Sequence, residues 1–341
     1  MTTSKRYLLY CGLATIIASV TLDFFTGRPF GIGYIQGTGL GIGLLLFLLA
    51  LRPRWGALAL FALTRLTYFV SLVLFVVGTG LLLINLIGLP ISMRNNKMYT
   101  ESVRYGGKER LALYTPKQVY GQMVRVDGES VQDYLVRVTK LVHEGTIHYW
   151  LREGMNEYNL RVPIYENWIL WLNHYGEIYL FCGTERAIER GATVCVQSTV
   201  ILLGLMHRQG IDAQQYAMMG HTVALVEVDP ENDVWWFADA DFGAVIPMDY
   251  RAVEVKPANI LPYYKAAGYA DEPRLLSKLA NNYGKQGNYA QGWIDDFKYC
   301  TREEDAYRLK WLLPLAAIAQ FVILVKPIGW VVQKTIKLKG S

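Results

Sequence analysis

Outside residues 91–310, this 341-residue chain carries a single acidic side chain, Asp23, against 10 Lys and Arg. The middle segment is the reverse, with 28 Asp and Glu against 24 Lys and Arg, so the overall charge of +5 belongs to the two ends. No basic patch interleaved with aromatics accompanies that surplus. A nucleic-acid surface is therefore excluded, and the positive charge reads as membrane flanks. Internal repeats and low-complexity segments are missing too. His143, His148, His174 and His207 lack the spacing of metal ligands, so neither a metal nor a cofactor is expected.

The ends hold long apolar runs. Lys5 and Arg6 precede one at about residues 7–25, and with no small-x-small cleavage site behind it this reads as an anchor, not a secretory signal. A second run covers about 31–51. Its glycines, Gly33, Gly37 and Gly41, fall four apart and would form a smooth helix face for packing against other membrane helices. They lack the strand and the Lys and Ser/Thr pattern of a phosphate-cradling loop. Arg52, Arg54 and Arg65 bracket a segment too short to cross alone, and about 68–90 is long enough. A fourth span starts near Trp311, kinked at Pro314 and Pro327, and leads into a basic tail.

With the amino terminus inside, this layout puts every basic flank but Arg28 in the cytoplasm. The expected organisation is three transmembrane helices in residues 1–92, a domain outside the cytoplasmic membrane in 93–310, and a last transmembrane helix with its tail in 311–341.

Within the middle segment, Ser130 and Asp133 open a helix whose stripe is Val131, Tyr134, Leu135, Val138, Leu141 and Val142. Tyr165, Trp168, Ile169 and Leu172 repeat the spacing and predict a second core helix. A third helix starts near Cys195, with Val196, Thr199, Val200 and Leu203 on one face, and stops at Gly210. Residues 222–228 and 234–238 then predict two strands joined by the turn 229–233. Pro273 opens a further helix through Leu275, Leu276 and Leu279.

The chemistry concentrates in residues 191–243. A cysteine in the first turn of a helix meets free backbone N–H groups and the positive end of the helix dipole, which favour a thiolate and can hold an oxyanion. His221, opening a strand, supplies a base, and 26 residues of chain suffice for helix, turn and return. Asp239 supplies the carboxylate that orients the imidazole. Asp241 competes for that role, but Trp235, Phe237 and Asp239 alternate onto one strand face while Asp241 already lies in the turn. Cys182 and Cys300 are open to either a disulfide or two buried thiols.

Cys195, then Gly210-Ile211-Asp212-Ala213, then His221, then Trp235-Trp236-Phe237-Ala238-Asp239 resembles the transglutaminase-like superfamily over about 60 residues. Thr193, Gln214 and Ala240 stand where that family often has Gly, Arg and Pro. The resemblance implies an α+β fold with a papain-like core, in which a helix carrying Cys195 packs on an antiparallel sheet carrying His221 and Asp239. It also implies acyl transfer through a thioester, without a cofactor, on peptide or protein amides of the cell envelope. A partner-binding scaffold of an envelope or polysaccharide assembly and export system, catalytically silent and using the same fold, is the competing expectation.

Overall fold

The computed structural model describes residues 53–148, 160–284, 287–291 and 298–339. The two predicted spans at 7–25 and 31–51, with Gly33, Gly37 and Gly41, lie outside them. Two compact units divide the chain, one covering Ile87–Tyr307 and the other its flanks.

In the flanks, α1 (Pro53–Gly88) is one helix of 36 residues. The arginine-bracketed segment expected to stand apart is its first part, because Trp55 to Thr64 contains nothing that breaks a helix except Gly56. Among the described residues, two stretches are long and apolar enough to cross a membrane: Arg65–Gly88, mean hydropathy 2.5, and Arg302–Ile323, mean hydropathy 1.3. The second lies in the last helix, Lys298–Lys339, which runs on through Pro314 and Pro327. Within this unit, Asn85 donates its amide to Lys310 O at 2.6 Å. Phe75 stacks on Phe321 at 4.7 Å, and Gly78 leaves just enough room for Ala317. A close small-residue contact and a buried amide bond are what hold helices together where the hydrophobic effect cannot.

The Ile87–Tyr307 unit is α+β. Its amino-terminal part holds a hairpin, β1 (Val103–Tyr105) and β2 (Lys108–Arg110), then α2 (Pro116–Tyr120) and α3 (Val131–Gly145). Ser130 caps α3 by accepting from Asp133 N, and the predicted stripe of α3 is buried except for Val131 in the first turn, which is half-buried against the same core. β3 (Ile147–His148) follows, then α4 (Trp168–Asn173), α5 (Thr184–Arg190) and β4 (Ala192–Thr193), which pairs in parallel with β3. The second core helix expected over Tyr165–Leu172 is only the six-residue α4. Asn167 caps it through Ile169 N and Leu170 N, and Leu172 and Tyr175 are exposed.

Next come α6 (Cys195–Arg208), β5 (Ala213–Met218), β6 (His221–Asp229), β7 (Val234–Asp239) and β8 (Ala244–Ile246). Short helices α7 (Tyr250–Val255) and α8 (Leu261–Tyr264) lead to α9 (Pro273–Tyr283). β9 (Tyr289–Gln291) completes an antiparallel sheet in the order β8-β7-β6-β5-β9.

The apolar run of β6 follows from burial on both faces. Ala224, Val226 and Val228 join the core shared with α3 and α6, whereas Val223 and Leu225 join the core under α7 to α9. In β7, Phe237 lies on the second face and Ala238 on the first. Period-two alternation therefore turns both His221 and Asp239 toward the α7 to α9 side. The strands register Ala224 against Ala238, so His221 is the diagonal neighbour of Asp239.

Candidate active site

Two buried arginines shape the approach to α6. Arg190 donates to the carbonyls of Ala192, Leu160 and Tyr179 and to Gln197 Oε1. Arg94 donates to Tyr114 O, Gly145 O and Ile188 O. Gly191 ends α5 at φ +71°, and a Cβ there would sit 2.5 Å from the Arg94 guanidinium, so both conformation and space require glycine. The chain then passes through β4 and enters α6 at Cys195. Val194 caps α6 without a side-chain bond, and the first i→i−4 bond is Ser198 N to Val194 O. The N–H groups ahead of it are the free donors of a helix N-terminus.

Cys195 is half-buried and is the free cysteine among the described residues. Thr199 Oγ1 donates to Thr222 O at 3.1 Å and fastens the second turn of α6 beside His221. His221 Nε2 lies 2.7 Å from Asp239 Oδ2. The remaining nitrogen, Nδ1, is left for the sulfur: Cys195 Sγ, a ring nitrogen of His221 and a carboxylate oxygen of Asp241 all lie within 4.8 Å of one another. Burial opposes a charge on His221, but the Asp239 carboxylate and then Cys195 outweigh it and raise the imidazole well above its ordinary pKa.

Asp239 is itself held on every side. Tyr264 donates to Oδ2 at 2.6 Å, and the Tyr283 hydroxyl is 3.0 Å from that of Tyr264. Asp241 N and Phe242 N donate to Oδ1 at 3.0 and 3.3 Å. The turn after β7 thus folds back on its own last carboxylate, the Asx geometry that lets an aspartate end a strand.

Asp241, the competing carboxylate, is within reach of the same sulfur but belongs to a second buried pair. His148 Nδ1 lies 2.8 Å from its Oδ2, and Ser198 donates to Oδ1 at 2.9 Å. Burial pushes the Asp241 carboxyl up, yet His148 and then His221 and Ser198 bring it net below its ordinary value. Tyr105 stacks on His148 with ring centroids 3.8 Å apart. Arg110 donates to Asp241 O at 2.9 Å, and His143 Nδ1–H donates to the same carbonyl at 2.8 Å.

A pocket of about 210 Å³ opens onto Cys195 and His221, walled by Tyr105, Phe242, Leu275 and Leu279, with Lys278 and Asn282 among its polar lining. Gly106, at φ +60°, lets the hairpin tip reach it; a Cβ would meet Phe242 at 2.9 Å and Leu275 at 3.3 Å.

The three residues singled out along the chain thus meet here. What the sequence did not single out is the surrounding shell. Tyr264 and Tyr283 sit in segments with no pattern pointing to a site. His148 follows α3 by three residues, and only its pairing with β4, which carries the chain into Cys195, brings it in. Cys182 and Cys300 form a disulfide. No family model, curated protein or solved structure matches this chain.

Proposed function

We propose that the chain is a membrane-anchored thiol acyl-transfer enzyme of the transglutaminase-like type, with Cys195 as nucleophile, His221 as base and Asp239 as the group that orients His221. The observation that carries this reading is the row formed by sulfur, imidazole and carboxylate, with the pocket open at the sulfur end. Cys195 Sγ attacks a carbonyl carbon while its proton goes to His221. The α6 amides stabilise the resulting oxyanion, and His221 returns the proton to the leaving amine. Water or an acceptor amine then resolves the thioester, with hydrolysis slightly favoured. Peptide or protein amides of the cell envelope are the proposed substrates. The Cys182–Cys300 disulfide supports placing the domain outside the cytoplasmic membrane, because such bonds persist in oxidising compartments.

The test is iodoacetamide labelling of Cys195 at neutral pH in the detergent-solubilised Cys11→Ser chain, whose substitution removes the one cysteine of the sequence besides Cys182, Cys195 and Cys300. Fast labelling that slows at least about tenfold in His221→Ala supports the enzyme. Slow labelling indifferent to His221 rejects it and leaves the partner-binding scaffold.

A further inference from the structure

Cys195 Sγ, a ring nitrogen of His221 and an oxygen of Asp241 are three different donor types within 4.8 Å of one another, at the edge of a pocket that reaches the first two residues. We propose that this triangle binds a divalent transition-metal ion of the zinc type, with a water or substrate atom from the pocket as fourth ligand, so that bound metal and acyl transfer exclude each other. The metal site stands on geometry alone; only the exclusion rests on the acyl-transfer reading.

Zinc takes thiolate, imidazole and carboxylate at about 2.0–2.3 Å, so tetrahedral donors stand roughly 3.4–3.6 Å apart. The three donor atoms, already within 4.8 Å, would need to close by at most about 1.4 Å to reach that spacing. Their outer contacts are those that orient metal ligands. His221 turns its other nitrogen to Asp239 at 2.7 Å, which fixes the tautomer with Nδ1 facing the ion. Tyr264 holds Asp239, and His148 and Ser198 hold Asp241. A soft sulfur and an imidazole select zinc or cobalt over magnesium or calcium, which prefer oxygen. Metal entry releases the proton shared by Cys195 and His221 to solvent, leaving thiolate and neutral imidazole as ligands, so binding tightens as pH rises.

The experiment titrates Co²⁺ into the detergent-solubilised Cys11→Ser chain and follows the near-ultraviolet sulfur-to-cobalt absorption. The expected result is a band saturating at one ion per chain, lost in Cys195→Ser and needing at least about tenfold more Co²⁺ in Asp241→Asn. Should Asp241→Asn fail to fold, the Cys11→Ser chain decides alone: Zn²⁺ slows iodoacetamide labelling of Cys195, a chelator restores it, and Mg²⁺ has no effect. No cobalt band at millimolar Co²⁺, a band that survives Cys195→Ser, or equal protection by Mg²⁺ overturns the site. Labelling that still depends on His221 in metal-free protein would meanwhile leave the acyl-transfer reading intact.

Discussion

His148 Nδ1 stands 2.8 Å from Asp241 Oδ2, and both side chains are about 1% exposed. A charge so placed depends on its partner, because neither is hydrated. Replacing the carboxylate leaves the His148 ring and the Ser198 hydroxyl poorly matched in a buried site, at a cost of about 1–3 kcal/mol. Asp241→Asn is therefore expected to lower the melting temperature by several degrees, and Ser198→Ala, which removes one hydrogen bond to the same carboxylate, by much less. Differential scanning fluorimetry on the solubilised chain checks the order.

The Tyr264 and Tyr283 hydroxyls form a directed chain. Since Tyr264 gives its proton to the Asp239 carboxylate, Tyr283 must give its own to Tyr264. Tyr264→Phe removes a hydrogen bond to a charged group and strands the Tyr283 hydroxyl in a buried site, with an expected cost of about 1.5–3 kcal/mol. Adding Tyr283→Phe removes the stranded group, so the double variant should be no less stable than the single one. Urea unfolding of the two variants measures this, and a double variant that loses stability additively would refute the relay.

Much of this arrangement was legible in the residues, and the reason is periodicity. Alternation along Trp235 to Asp239 placed the aspartate on one face, and the same period in β6 turned His221 toward it. The cysteine was legible from its position ahead of an apolar helical face. The shell was not, because it is assembled from contacts distant along the chain. His148 reaches Asp241 through a two-residue parallel pairing with β4, and Tyr105 reaches His148 from a hairpin more than forty residues earlier. Neither pairing leaves a local pattern. The short α4 misled for a related reason: Trp168, Ile169 and Leu172 keep helical spacing, but the chain leaves the helix at Asn173, and Leu172 stays exposed.

His143 gives the domain an acid limit. Burial, and then the nearby Arg110 guanidinium, lower its imidazole to about 3, so it stays neutral in the folded protein. Above about pH 6.5, the ordinary value for histidine, neither folded nor unfolded chain protonates it, and it adds no pH dependence. Below that the unfolded chain takes up a proton the folded one refuses, and stability falls until about pH 3. The expected loss is on the order of a few kcal/mol. His143→Gln, which keeps a donor for Asp241 O, should flatten the profile between pH 6.5 and 4 in melts across that range.

Gly204 sits where α6 crosses α5. A Cβ there would lie 1.9 Å from Thr184 Oγ1 and 3.2 Å from Thr184 Cβ, on a buried side chain with nowhere to retreat. Gly204→Ala should gain in intrinsic helix propensity by about 1 kcal/mol but lose about 1–3 kcal/mol to overpacking. The net is a destabilised protein with a displaced α6, and Cys195 at its head would label more slowly. Pairing it with Thr184→Ser, which removes the methyl but keeps the hydroxyl, should not rescue it; Thr184→Gly should. Melting temperature and labelling rate of the three variants test the claim together.

The Cys182–Cys300 bridge closes a segment with a sequence separation of 118 and brings the start of the last helix against α5. One turn into that helix, Glu303 is almost fully buried and accepts from Cys182 N at 3.0 Å, Gly183 N at 3.3 Å and the Tyr179 hydroxyl at 3.0 Å, with Arg186 paired at 3.2 Å. The disulfide and this carboxylate hold the same junction, so their effects should not add. Cys182→Ser with Cys300→Ser is expected to cost about 2–5 kcal/mol, and Glu303→Gln a comparable amount by leaving Arg186 and the buried donors poorly paired. The triple variant should lose less than the sum, because a junction already loosened has less left to lose. Reduction of the unaltered protein with dithiothreitol should reproduce the double serine variant. Strict additivity in urea melts would mean that bond and carboxylate act on separate parts of the unit.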